Sequence, residues 1–168
     1  MDYDLDHIKF KSETTNRFFE AYIFGHMYKA YEYLADDEFN PNDVDNFGET
    51  VIMDILYSYL SEDYGITQGD FIEVVSLILG NDNYNGGQIN EFNETPLFII
   101  ARNPLLNFIA KKFLKQKDAK ILLKNDAGMT IFEVALYNNN NEFISMLLET
   151  GNFSEITRGI GKNSKENE

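Results

Sequence analysis

The stretch NEFNETPLFIIA, Asn90 to Ala101, decides how this chain is read. Two Asn residues precede a Thr-Pro pair, and that pair opens an apolar run too short to be a domain core by itself. Thr95 suits the residue that caps a helix. Pro96 suits the first helical position, where a missing N–H leaves no bond unmade. Two other stretches share the outline, GETVIMDIL from Gly48 and GMTIFEVAL from Gly128.

Spacing turns this likeness into a repeat. Thr50, Thr95 and Thr130 stand 45 and 35 residues apart, and Thr15 precedes Thr50 by 35. The period is about 33–35 residues, with roughly ten extra in one unit. The excess falls in SEDYGITQGD (Ser61–Asp70) and NDNYNGGQ (Asn81–Gln88), polar and Gly-rich as surface insertions are. Each unit reads as two short helices. Thr50 to about Leu60 carries Val51, Ile52, Ile55, Leu56 and Tyr59 at helical spacing. Phe71–Leu79 is its second helix, with Asp70 as the expected N-cap. Pro96–Ala101 then pairs with Leu105–Leu114, and Ile131–Tyr137 with Glu142–Leu148. Asn138–Asn141 is the connecting loop of the last pair. Helices this short are not stable alone and must stack.

These units resemble ankyrin repeats, whose pattern opens with D-x-x-G-x-T-P-L-H-x-A and closes with a helix ending in L-L-x-x-G. DNFGETVIMDIL (Asp45–Leu56) keeps Asp, Gly and Thr, with Ile52 at the Leu position. NEFNETPLFIIA keeps Thr95, Pro96, Leu97 and Ala101, with Asn90 and Asn93 in place of Asp and Gly. Asn suits both turn positions, since it caps locally and tolerates a left-handed backbone. NDAGMTIFEVAL (Asn125–Leu136) keeps Gly128, Thr130 and Ala135, and EFISMLLETGN (Glu142–Asn152) matches the closing helix. The pattern's His is replaced by Met53, Phe98 and Glu133, which removes a side chain that braces neighbouring loops. TTNRFFEAYIFGHMYKAYEYLAD (Thr14–Asp36) has the two-helix outline without the signature and reads as a degenerate capping repeat.

The resemblance implies an all-α solenoid of stacked helix-turn-helix units with short hairpin-like loops. The units run 14–44, 45–88, 89–123 and 124–152. Residues 1–13 are read as an N-terminal tail. Residues 153–168 are read as a C-terminal tail, disordered past about Arg158.

Composition narrows the function. Residues 1–100 hold 20 acidic and 4 basic side chains, whereas residues 101–168 hold 8 and 10, within a net charge of −14. The acidic half repels nucleic acid and membrane surfaces and could steer a basic partner. The cluster KKFLKQKDAKILLK (Lys111–Lys124) lacks interleaved aromatics and reads as the solvated face of a helix plus the loop after it. The chain has no cysteine, no apolar run of membrane-spanning length and no secretory signal at its start, so a cytoplasmic protein is expected.

Catalytic and metal chemistry find few carriers. His7 falls in the expected tail, and His26 at a helix start is read as solvent-facing or structural. Asn81, Asn83 and Asn85 before Gly86 imitate the front of a calcium loop, but the twelfth position is Phe92, not Glu, and charged ligands are missing. Gly86-Gly87 is read as a flexible insertion. A carboxylate hydrolase built on Asp54 and Glu133 needs residues two units apart, roughly 20 Å at the spacing of packed helices, too far to share one bond. No cofactor and no metal are expected.

Binding is the remaining class. In proteins this chain resembles, partners lie across the hairpin tips and the inner face of the first helices. By position, the resemblance implies contacts from Asn46, Phe47, Glu49, Tyr57 and Ser58. The next unit adds Glu91, Phe92, Glu94, Arg102 and Asn103. The last adds Asp126, Ala127, Met129, Tyr137 and Asn138. Phe47 and Phe92 would stand at adjacent tips, either exposed as anchors or folded back onto the inserted loops. The expectation is a non-catalytic protein–protein interaction module, monomeric by default, whose partner is another protein with a basic surface. An acidic inhibitor or immunity-type protein masking such a partner is the alternative.

Overall fold

The computed structural model of the chain describes residues 8–61, 64–151 and 153–157. Among these run nine α-helices: α1 (Glu13–Ile23), α2 (Met27–Leu34), α3 (Val51–Ser61), α4 (Gln68–Leu79), α5 (Pro96–Arg102), α6 (Asn107–Leu114), α7 (Ile131–Tyr137), α8 (Asn141–Leu148) and α9 (Phe153–Thr157). A 3-10 turn, Pro104–Leu106, leads into α6. Within each of four units the two helices pack on each other. Between units α1, α3, α5 and α7 form one row, and α2, α4, α6 and α8 the other. This is the expected all-α solenoid.

Position in the stack explains which helices are buried all round. Every residue of α3 from Val51 to Leu56, and every residue of α5 from Pro96 to Ala101, is buried. Both helices lie in the inner row between two neighbours while also backing onto the outer row, so little of their surface meets water. Outer helices keep one wet face, as Lys111 and Lys112 do on α6.

The capping threonines divide according to the residue three places on. Thr130 caps α7 in a reciprocal box. Its hydroxyl accepts from Glu133 N at 3.3 Å, and Glu133 accepts from Thr130 N at 2.8 Å. Thr50 and Thr95 hold the same place, yet their buried hydroxyls have no hydrogen-bond partner. Three residues on stand Met53 and Phe98, both fully buried, which have no polar side-chain atom suited to bond a hydroxyl. Their N–H groups bond instead to the Thr50 and Thr95 carbonyls at 2.8 and 2.9 Å. The threonine is therefore a side-chain cap only where Glu133 completes it. In α4 the cap is Thr67, not Asp70: the Thr67 hydroxyl accepts from Asp70 N at 3.1 Å, one turn earlier than the apolar pattern begins.

Three further segments depart from expectation. Residues 8–13 are no tail in the described part. Phe10 is 5% exposed and meets Phe19 edge-on, and Ser12 caps α1. Residues 153–157 form α9 and place Ile156 in the core, whereas the segment past Arg158 lies outside the described residues, as does His7. Gly86 and Gly87 are packed, not loose. A Cβ on Gly87 would stand 2.7 Å from the Asp118 carbonyl, and one on Gly86 would stand 2.9 Å from Gln116 Cβ. Asn42 ties this loop back to the first unit. It donates to the Asn83 carbonyl at 2.6 Å, and its own side-chain oxygen accepts from Asn85 N at 2.8 Å.

Candidate functional site

Three turns of one design form the edge of the stack that leads into α3, α5 and α7. Each closes with a backbone bond across four residues: Asp45 N to Glu49 O, Asn90 N to Glu94 O and Asn125 N to Met129 O, at 2.9, 3.0 and 2.9 Å. Each needs a left-handed residue at the fourth position, supplied by Gly48 (φ 83°), Asn93 (φ 59°) and Gly128 (φ 74°). Asp45 and Asn90 also accept, through Oδ1, the N–H groups two and four residues on, and Asn125 accepts the one four residues on. The residues between point outward because the turn's own polar atoms face inward.

A ladder joins successive turns. Asn90 Nδ2 donates to the Glu49 carboxylate at 3.0 and 3.2 Å. One unit on, Asn125 Nδ2 donates to Glu94 Oε1 at 2.7 Å. Asp126 N also donates to the Phe92 carbonyl, and Asn93 Nδ2 to the Lys124 carbonyl. The rungs depend on residue type. Each requires a Glu at the fifth turn position and an amide at the first position of the next turn. Asp45 has no amide to give backward, and Met129 has no carboxylate to offer onward. These bonds brace each turn against the next.

The frame sorts the expected contact residues. Asn46, Glu91, Asp126 and Ala127 are exposed. Phe47 and Phe92, at equivalent places in consecutive turns, are 51% and 54% exposed. Glu49, Tyr57, Arg102, Asn103, Met129 and Asn138 are half-buried. Asn103 and Asn138 donate to carbonyls of their own helices, those of Ile99 and Val134. Tyr137 is 82% exposed, but it ends α7, about 9 Å along the axis from the turn. Two residues expected as contacts are interior. Ser58 is 2% exposed and bonds the Ile55 carbonyl. Glu94 is 6% exposed and spends its carboxylate on Asn125 and on Arg102, whose Nη2 lies 2.7 Å away. The described edge therefore groups Phe47, Glu49, Glu91 and Phe92 and uses Glu94 as support, whereas Ser58 is interior to α3 and takes no part in it.

Charge at this edge is unbalanced. Burial pushes the Glu49 carboxyl up to about 7, the Asn90 amide works against that, and Asp45, Glu94 and Glu91 add to it. Burial also raises Asp45, opposed by the backbone N–H groups it accepts. Asp54, 1% exposed, is pushed well above the usual carboxylate range, first by burial and then by Asp45 and Glu49. Its Oδ2 has no hydrogen-bond partner. Asp54 cannot be reached by a substrate, and Glu133 is held in its capping box, so this pair is not arranged for hydrolysis. No three His, Cys, Asp or Glu side chains among the described residues form a group that could hold a metal ion.

Sequence reasoning placed Asp45 and Asn90 at the capping position of their turns but missed the bonds from Asn90 and Asn125 to the preceding turn, and missed that Asp54 is buried. The ladder had a readable signal, Asp/Asn with a Glu four residues later and an amide one unit later. Asp54 had a weaker one, a lone acid inside the apolar run VIMDIL.

The family model for ankyrin repeats, in three copies, matches residues 64–158. No curated protein sequence matches the chain. Among solved structures, the chain is similar to a chain in the complex of a predatory endopeptidase from Bdellovibrio bacteriovorus with its immunity protein. Identity is 17%, coverage is 79% of this chain and 97% of that one, and the TM-score is 0.38. No helix among the described residues is long and apolar enough to cross a membrane.

Proposed function

This chain belongs to the ankyrin-repeat family, and from that premise we propose that it is a non-catalytic module that binds a protein partner through its turn edge and the adjoining face of the inner helices. The observation that supports the reading is the pair Phe47 and Phe92. Both rings are half-exposed at equivalent points of a hydrogen-bonded frame that fixes their spacing. Aromatic anchors already held in place bind with little ordering cost. Glu49 and Glu91 beside them set the orientation and speed of encounter with a basic surface.

The test is capture from a lysate of the source organism, run with wild type and with a Phe47→Ala/Phe92→Ala double variant whose helicity is checked first. The reading expects a protein that wild type retains and the variant releases. Equal retention by both would move the interface off this edge, and no retained protein would remove the reading.

The charge of −14, placed mostly before residue 101, favours a second reading in which the module inhibits its basic partner by covering it. Adding the chain to the captured partner should then suppress that partner's own activity, and raised salt should restore it.

A further inference from the structure

A cavity of about 370 Å³ opens between the second and third units, at the end of α3 away from the turn at 45–49. The length of α3 puts it roughly 15 Å from that turn. The inserted segment of the second unit builds one wall, with Tyr64, Ile66 and Gln68. Tyr59 of α3 builds another, and Leu105 of the 3-10 turn and Phe108 of α6 a third. Ser58, 2% exposed, stands at the buried end, whereas Leu105 and Phe108, 69% and 40% exposed, stand at the mouth.

The aromatic lining is held from behind. Tyr59 stacks on buried Phe71 with ring centres 4.1 Å apart, and Phe108 meets both rings edge-on at 5.9 Å. Rings fixed in this way lose little freedom when a flat molecule joins them. The volume falls in the range of small-molecule sites, which combine apolar walls with a few polar groups. Charge narrows the occupant. No Asp, Glu, Lys, Arg or His among the described residues lines the cavity, in a chain of net charge −14. A cation entering it would give up water without meeting a carboxylate, and an anion would do so against the field of the whole chain. The Ser58 hydroxyl gives its one proton to the Ile55 carbonyl at 2.9 Å, so towards the cavity its oxygen can only accept.

We propose that this cavity is a binding site for a small uncharged aromatic molecule carrying an N–H or O–H donor, its ring against Tyr59 and Phe108 and its donor on Ser58. The site is separate from the turn edge and does not rest on the partner-binding reading.

The experiment titrates the full chain with indole. The chain has no tryptophan, so the fluorescence of indole reports its own binding. The proposal expects saturable binding with a Kd below about 1 mM. Sodium benzoate and benzylammonium chloride, at the same concentration as indole, should leave it in place. Benzofuran, which matches indole in shape but has no N–H, is measured by displacement of indole. Ser58→Ala should lower the preference for indole over benzofuran about fivefold, the worth of one hydrogen bond. Phe108→Ala should weaken both about fivefold. Leu122→Ser, which removes an exposed apolar side chain outside the cavity, should change neither. Fluorescence that never saturates, displacement by either ion, an unchanged preference in Ser58→Ala or full affinity in Phe108→Ala would each overturn the proposal. So would a captured protein partner that competes with indole and is lost from Phe108→Ala, because the cavity would then take a side chain of that partner.

Discussion

Thr95→Val and Thr130→Val alter the same motif position, and the structure gives them opposite signs. Thr95 is fully buried, and its hydroxyl has no partner. A buried unpaired hydroxyl costs about 1–3 kcal/mol, and Val replaces it with a methyl of similar volume. The extended backbone at Thr95 (φ −91°, ψ 168°) suits another β-branched residue, and so does the proline after it. Thr95→Val should therefore stabilise the chain by about 1 kcal/mol. Thr130→Val removes the acceptor of Glu133 N and one donor to the Glu133 carboxylate, a loss of about 1 kcal/mol for a capping side chain. The two variants should differ by about 2 kcal/mol, or roughly 4–8 °C in Tm for a chain of this size. Urea unfolding monitored by circular dichroism at matched pH measures it. A Thr95→Val variant less stable than wild type by more than about 1 kcal/mol would show that the hydroxyl is bonded in solution, and would refute the rule that the residue three places on decides the cap.

Other substitutions probe the frame. Asn140 is 1% exposed and bonds the Ile100 and Ala101 carbonyls, Asn107 and Phe143 N. Asn140→Ala should cost about 2–4 kcal/mol, against less than about 0.5 for exposed Asn141→Ala, measured by thermal unfolding. Gly87→Ala forces the Asp118 backbone away and should cost about 1–3 kcal/mol, whereas Gly65→Ser, with open space around it, should cost less despite its positive φ. Glu49 has a folded-state value raised from 4.5 to about 7. The folded state thus binds the proton more tightly, so this group's contribution is present below about pH 4.5 and is lost as pH rises to about 7. Glu49→Gln should accordingly gain stability relative to wild type between pH 5 and pH 8, read from urea midpoints at each pH.

The fold was legible because every unit after the first announces its turn and its first helix. Thr-Pro at Thr95, glycine at Gly48 and Gly128 and the ending LLETG are local signals, and local signals survive without tertiary knowledge. Asn93 was readable as a glycine substitute for the same reason, and its φ of 59° is what the turn requires. What stayed hidden depends on neighbours. Glu94 is taken up by Arg102 and Asn125, and Ser58 turns back onto the Ile55 carbonyl, partners that no single unit's sequence pattern names. Gly86-Gly87 looked loose because its packing partner, the Asp118 loop, lies in the next unit. Asn140 sits in a run of four asparagines whose composition suggests only a loop. Its role appears when the carbonyls at the end of α5 come within reach. The exposure of Phe47 and Phe92 could not be settled from the sequence either, since both rings could have folded onto the inserted loops.

The central claim is that the turns at 45–49 and 90–94 are the contact edge. Hydrogen–deuterium exchange of the chain with and without its captured partner tests it most directly. The account expects slowed exchange at residues 45–49 and 90–94, with the opposite edge, around Phe24, Leu105 and Tyr137, unchanged. Those three side chains are 61%, 69% and 82% exposed and offer a rival apolar surface. Protection confined to them, with the turns unaffected, would contradict the account.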